Sequence, residues 1–173
     1  DPEISIYEWL TKVQQFSENS EKVIWKKYGV LLENLTAFNK KDLLSSQADV
    51  LVVGGGGGEL EHAIISSLGL MNVNLFAVDI VKPTIQEKSP ISKIHWIPST
   101  FEKELITSYS IKADVLICIG ASRYFHNASE MYTHILNALN PEALIIIDFY
   151  ELPPLRRSIT NVMRQWLKKE WHE

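Results

Sequence analysis

A chain of 173 residues, 46% hydrophobic and 22% charged, has the size and composition of one globular domain that can bury its own core, which excludes a disordered or collagen-like chain. The formal net charge of −4 leaves no basic surplus for a nucleic-acid backbone, and no apolar run approaches the roughly 20 residues needed to span a bilayer. The single cysteine, Cys118, cannot pair within the chain, so the expectation is a soluble protein of the reducing cytoplasm, with a small molecule as substrate and neither nucleic acid nor membrane as partner.

Behind Asp1 and Pro2, the residues Ile4, Tyr7, Leu10 and Val13 recur at helical spacing and predict a first helix. A second is predicted from about Ser20, with Glu21 in its first turn, Val23, Ile24, Leu31 and Leu35 on its apolar face, and Gly29 as a place where it can bend. Residues 1–47 therefore read as a helical cap on the core formed by 48–173. From Asp49 onward short apolar runs alternate with amphipathic stretches. Strands are predicted over 49–53, 74–78, 93–97, 113–119 and 143–149, and helices over 59–68, 101–109, 128–139 and 155–171. Gly69 supplies a stop for the 59–68 helix, and Asn140-Pro141 one for the 128–139 helix. Strands apolar on both faces and separated by helices belong to a mostly parallel sheet with right-handed crossovers. The chain is thus expected to be a doubly wound, Rossmann-like α/β domain of strand order 3-2-1-4-5, binding its ligand beyond the carboxyl ends of the strands beside the first one.

The run Gly54, Gly55, Gly56, Gly57 and Gly58 follows the first predicted strand directly and opens the next helix, where a backbone free of side chains lets a ligand approach closely. A tight turn and close helix packing would also call for glycine. A dinucleotide fingerprint, G-x-G-x-x-G, fits poorly: its third glycine falls on Glu59 or Glu61, carboxylates at the helix end that should receive a pyrophosphate. A P-loop is excluded because no Lys-Ser/Thr pair follows the glycines.

The spacing Gly54-x-Gly56-x-Gly58, with Asp79 closing the apolar run Leu75-Phe76-Ala77-Val78, resembles the class I S-adenosylmethionine-dependent methyltransferases. That resemblance implies S-adenosylmethionine as cofactor, the loop wrapping its methionine end and Asp79 accepting hydrogen bonds from both ribose hydroxyls. It further implies that Ile80 flanks the adenine, that Ser99, Thr100 and Phe101 lie beside the adenine ring, and that Ile119, Gly120 and Ala121 line the methyl-transfer channel. Two departures stand out. Val52 occupies the place, two residues before the first glycine, where many relatives carry Asp or Glu, and the family's last two strands, 6 and 7, have no counterpart here. Because 143–149 is too apolar for an exposed sheet edge, a further segment or a second chain is expected to cover it.

Methyl transfer is expected to act on a nitrogen or oxygen of the small molecule. Tyr7, Glu21, Trp25, Tyr28, Tyr124 and Phe125 are candidates to line the acceptor, with Glu21, Tyr28 and Tyr124 favoured. The segment Ser20-Glu21-Lys22, the glycine loop, His95-Trp96 and Tyr124-Phe125 together resemble the histamine N-methyltransferase type, in which a glutamate at the position of Glu21 receives the amine. No catalytic residue is singled out. The five histidines show no paired metal-ligand spacing, so no metal is expected. Arg156, Arg157, Arg164, Lys168 and Lys169 read as the solvated face of the last helix, with an acidic partner surface as the alternative. Two other functions compete: a non-catalytic module that keeps the fold for binding or assembly, and an aminopropyltransferase, which Ala121-Ser122-Arg123 disfavours where paired aspartates would stand.

Overall fold

The computed structural model describes residues 21–39, 47–80, 82–87, 89–98, 110–121 and 128–148, with only the backbone described at 21–22, 39 and 128–132. The helices predicted over 4–13, 101–109 and 155–171 lie outside these residues. Within them the chain runs α1 (Glu21–Asn39), β1 (Asp49–Val53), α2 (Glu59–Ser67), β2 (Val73–Val78), β3 (Ile91–Ile97), β4 (Ala113–Cys118), α3 (Ala128–Asn137) and β5 (Leu139–Ile147). The five strands form one sheet of order β3-β2-β1-β4-β5, and every pairing is parallel.

β1 sits at the centre because its sequence, Asp49-Val50-Leu51-Val52-Val53, is buried on both faces after the first residue. Alternation along it sorts the core into two layers. Val50 and Val52 face a cluster that includes Ile24, Leu32 and Leu35 of α1 and Leu60, Ile64 and Ile65 of α2. Leu51 and Val53 face the opposite layer, with Leu116 and Cys118 of β4 and Ile135 of α3. Cys118 is therefore a buried apolar residue of a central strand. α1 passes through Gly29 as one helix and packs on the sheet face beside α2.

The sequence places the last helix stop and strand start differently from the structure. α3 ends at Asn137, and β5 begins at Leu139 instead of Ala143, so Asn140 and Pro141 lie inside the strand. The register explains how proline is accommodated: Ala113 pairs with Leu139, but Val115 pairs with Leu144, so the residues around Pro141 bulge from the ladder. β5 pairs only with β4 among the described residues, and an edge strand tolerates a missing N–H.

A polar chain ties the amino ends of four strands together. Asn74 of β2 donates from Nδ2 to Asp49 of β1 at 2.9 Å, and the Asp49 N–H donates to Oδ2 of Asp114 on β4 at 3.0 Å. Asn140 of β5 then donates to Oδ1 of the same Asp114 at 2.7 Å. Asp114→Ala is expected to lower stability by about 1–3 kcal/mol, the scale for hydrogen bonds to a charged group, with the loss read from urea unfolding midpoints.

Candidate functional site

The glycine loop forms where β1 ends and the chain turns into α2, at the boundary between β1 and β4 where the strand order reverses. Gly54, Gly56 and Gly58 have φ of 71°, 57° and 91°, a left-handed region that costs other L-residues about 1–2 kcal/mol. Backbone hydrogen bonds fix the path. The Gly54 N–H donates to the Val78 carbonyl at 2.9 Å, and the Gly58 N–H to that of Gly55 at 3.1 Å.

The protein's own atoms account for part of the glycine requirement. A Cβ on Gly54 would collide with the Cβ of Ala121 just past β4, and one on Gly55 would collide with Val52 and come within 3.1 Å of the Glu61 carboxyl carbon. One on Gly58 would stand 2.7 Å from Ile85, whereas on Gly57 the nearest atoms it would meet are those at the end of the Glu59 side chain. The turn and close-packing need seen as an alternative in the sequence is thus met at Gly54, Gly55 and Gly58.

Asp79, the residue after β2, is the polar centre of the region. It is 8% exposed, and its Oδ2 accepts the Gly56 N–H at 2.7 Å. Trp96 near the end of β3 holds the Asp79 backbone, its indole Nε1 donating to the Asp79 carbonyl at 3.0 Å. Past β2 the chain returns over the loop: the N–H groups of Thr84 and Ile85 both donate to the Gly57 carbonyl, at 2.9 and 3.2 Å, and Thr84 Oγ1 donates to Glu59 Oε1 at 3.0 Å. Val52, Gly55, Gly56, Gly58, Glu61, Leu75, Ala77, Asp79 and Pro83 line a narrow hollow beneath the loop, with room on the order of one water molecule.

Five sequence candidates meet here: Gly54, Gly55, Gly56, Gly58 and Asp79. Ile80 follows half-buried, and Gly120, with φ of 79°, lies next to the Ala121 that packs on Gly54. Tyr28 is half-buried against the core layer under α1 and α2, with Lys27 Nζ 4.9 Å from its ring centre. Glu21 is the first residue of α1. Ser99, Thr100, Phe101, Tyr124 and Phe125 lie outside the described residues, as do Tyr7 and the basic set of 156–169. Trp25 is 44% exposed on α1.

Four neighbours of the loop were not singled out from the sequence as site residues. Trp96 gives no signal beyond its place near a strand end and its share in the His95-Trp96 resemblance, and Thr84 and Ile85 none at all. Glu61 does give one. It falls in the stripe Leu60, Ile64, Ile65 and Leu68 that α2 buries, and it is itself 3% exposed, so a charge on a core-facing position marks it. Among the described residues no group of three or more His, Cys, Asp or Glu could hold a metal ion, and no helix is long and apolar enough to cross a membrane.

The alanine series of the loop should separate backbone strain from space. Gly54→Ala is expected to lose at least about 1–2 kcal/mol from its left-handed φ, before the collision with Ala121 is counted. Gly57→Ala should stay within about 1 kcal/mol, because the side-chain end it meets can move. Equal losses in urea unfolding would contradict these packing assignments.

No family model and no curated protein matches the chain. Solved structures do. A protein from Methanococcus maripaludis described as a candidate S-adenosyl-L-methionine-dependent methyltransferase superposes with a TM-score of 0.56 at 14% identity, over 99% of this chain and 77% of that one. A methyltransferase from Geobacter sulfurreducens in complex with S-adenosyl-L-homocysteine matches at a TM-score of 0.47 and 20% identity, over 70% of this chain and 51% of its own. The plantazolicin methyltransferase BpumL, in complex with a monoazolic desmethylPZN analog and S-adenosylhomocysteine, matches at 0.47 and 20%, over 81% and 58%. The chain thus spans little more than half the length of these last two. With its parallel sheet of order 3-2-1-4-5 flanked by helices, the chain has the Rossmann-like fold of the S-adenosylmethionine-dependent methyltransferases.

Proposed function

We propose that the chain binds S-adenosylmethionine at the glycine loop and transfers its methyl group to a nitrogen or oxygen of a small molecule. The observation that carries this reading is the 2.7 Å hydrogen bond from Gly56 to Asp79, which sets a carboxylate against the loop at the switch point of the fold. A carboxylate offers about four lone-pair sites, so Asp79 can hold the loop and still accept from the two hydroxyls of a ribose.

The charge at the start of α2 speaks for a sulfonium cofactor over a dinucleotide. Glu59 and Glu61 occupy the first turn, and the Glu61 carboxyl group stands beside Gly55. A pyrophosphate there would meet negative charge at the helix end that ordinarily attracts it, whereas S-adenosylmethionine brings no phosphate. The cofactor supplies an already activated methyl group for in-line displacement. What this chain's residues contribute is alignment: Gly54 to Gly58 bear on the methionine end, Asp79 on the sugar, Ile80, Ser99 and Thr100 on the adenine, and Gly120 on the channel to the acceptor. Fixing donor against acceptor in this way accounts for several kcal/mol of barrier.

For the acceptor, the resemblance to the histamine N-methyltransferase type supports an amine received by Glu21 at the start of α1, with Tyr28 and Tyr124 alongside. A non-catalytic module of the same fold is the second reading, favoured by the apolar, 2% exposed Val52 at a position where relatives carry an acid. β5 leaves Ile145 44% exposed on an outer strand, which supports a covering segment or second chain over 143–149. A monomer stable with that edge in solvent would contradict the cover.

Calorimetric titration with S-adenosylhomocysteine tests the function. Saturable binding is expected, with none for NADH; no binding up to millimolar concentration would leave the non-catalytic module. Asp79→Ala should weaken affinity by about 1–3 kcal/mol, and an unchanged affinity would remove Asp79 from the site. In a methyl-transfer assay over small amines, Glu21→Gln should depress turnover while leaving S-adenosylhomocysteine affinity intact.

A further inference from the structure

Glu61 is a charged side chain that the proposed chemistry does not use, yet it is 3% exposed and its Oε2 is shut off from solvent. Burying a carboxylate costs several kcal/mol unless its surroundings favour the charge. Two features of its position bear on that cost. Glu61 stands in the first turn of α2, where the unsatisfied N–H groups and the helix dipole present positive potential. The N-cap of that turn is Gly58, which has no side chain to cap it.

The second is the glycine loop. The Glu61 carboxyl carbon lies 3.1 Å from where a Cβ on Gly55 would be, and Glu61 lines the same hollow as Gly55, Gly56 and Asp79. The other neighbour of that position is the Val52 side chain, which is apolar and offers no acceptor. Two buried carboxylates thus flank the loop: Asp79 from the end of β2, taking the Gly56 N–H, and Glu61 from α2, against Gly55.

We propose that Glu61 is a positioning residue for the cofactor loop, its buried carboxylate holding the backbone at Gly55 and Gly56 in the shape that receives the cofactor's methionine end. This rests on the S-adenosylmethionine reading above and assigns Glu61 no contact with the reacting atoms. Glu59, the other acid of that turn, acts differently: it is half-buried and accepts from Thr84, outside the hollow.

The test compares wild type with Glu61→Gln, which keeps the shape and removes the charge, and with Glu59→Gln as control. S-adenosylhomocysteine affinity is read by calorimetry, and backbone order by amide hydrogen exchange. Glu61→Gln is expected to weaken S-adenosylhomocysteine at least tenfold and to speed exchange of the Gly55 and Gly56 amides selectively, leaving those of Leu144 to Ile147 in β5 unchanged. Glu59→Gln should change affinity less than threefold. A merely structural role would lower the unfolding midpoint and raise exchange across the sheet with affinity retained, and that result overturns the proposal. Should Glu61→Gln fail to fold, Glu61→Asp carries the same measurements, with intermediate loss of affinity expected and wild-type affinity with wild-type loop exchange as the overturning result. If wild type itself does not bind S-adenosylhomocysteine, the cofactor reading falls and the role of Glu61 falls with it. Wild-type binding with equal affinity in Glu61→Gln refutes the role of Glu61 alone.

Discussion

The hydrogen bond from the Gly56 N–H to Asp79 joins the two strand ends that matter most in this sheet. β1 and β2 are neighbours in full register, Val53 opposite Val78, so the residues that follow them leave the sheet at one level. The loop after β1 must turn back into α2, while the residue after β2 stands beside it with an acceptor. A loop of five glycines loses more conformational entropy on ordering than one bearing side chains, so it keeps a single shape only if its polar groups are held. Asp79, the Val78 carbonyl and the returning Thr84 and Ile85 do the holding.

That bracing extends outward through the sheet. Trp96 on β3 fixes the backbone of Asp79, and Ala121 past β4 fills the space left by the absent side chain of Gly54. Strands on either side of the β1–β2 pair therefore bear on the same short segment. At the other end of the strands, the chain from Asn74 through Asp49 and Asp114 to Asn140 keeps four strands aligned. Register at that end sets the level at which the loop emerges at this one.

Acidic groups dominate where other doubly wound proteins collect phosphate. Asp79, Glu59 and Glu61 surround a helix start whose dipole favours anions, so the charge demand of that helix is met from within the chain. A ligand seated here gains little by bringing negative charge and more by bringing hydroxyl and amino donors.

Much of this was legible in the sequence, because periodicity and glycine placement are local properties. Apolar runs such as Val50 to Val53 give a strand buried on two faces wherever they fold, and Asp79 is picked out by the methyltransferase resemblance at the end of the second such run. The parallel, doubly wound character of the sheet followed from the alternation of elements and the handedness of crossovers, and the order 3-2-1-4-5 agrees with what was expected for the fold class. The end of α3 was misplaced because Pro141 stops a helix by local rules, whereas its acceptance in β5 depends on a bulge and an edge position that exist only once β4 is alongside. The reason for each glycine was likewise tertiary: which atom stands opposite Gly54 or Gly58 is decided by Ala121 and Ile85, more than 25 residues away in the chain. Sequence alone determined that a flexible, side-chain-free turn follows a buried strand. Only the folded chain decided that the turn is braced by Asp79 and flanked by a buried Glu61, because hydrogen bonding and burial are relations between segments that meet in space.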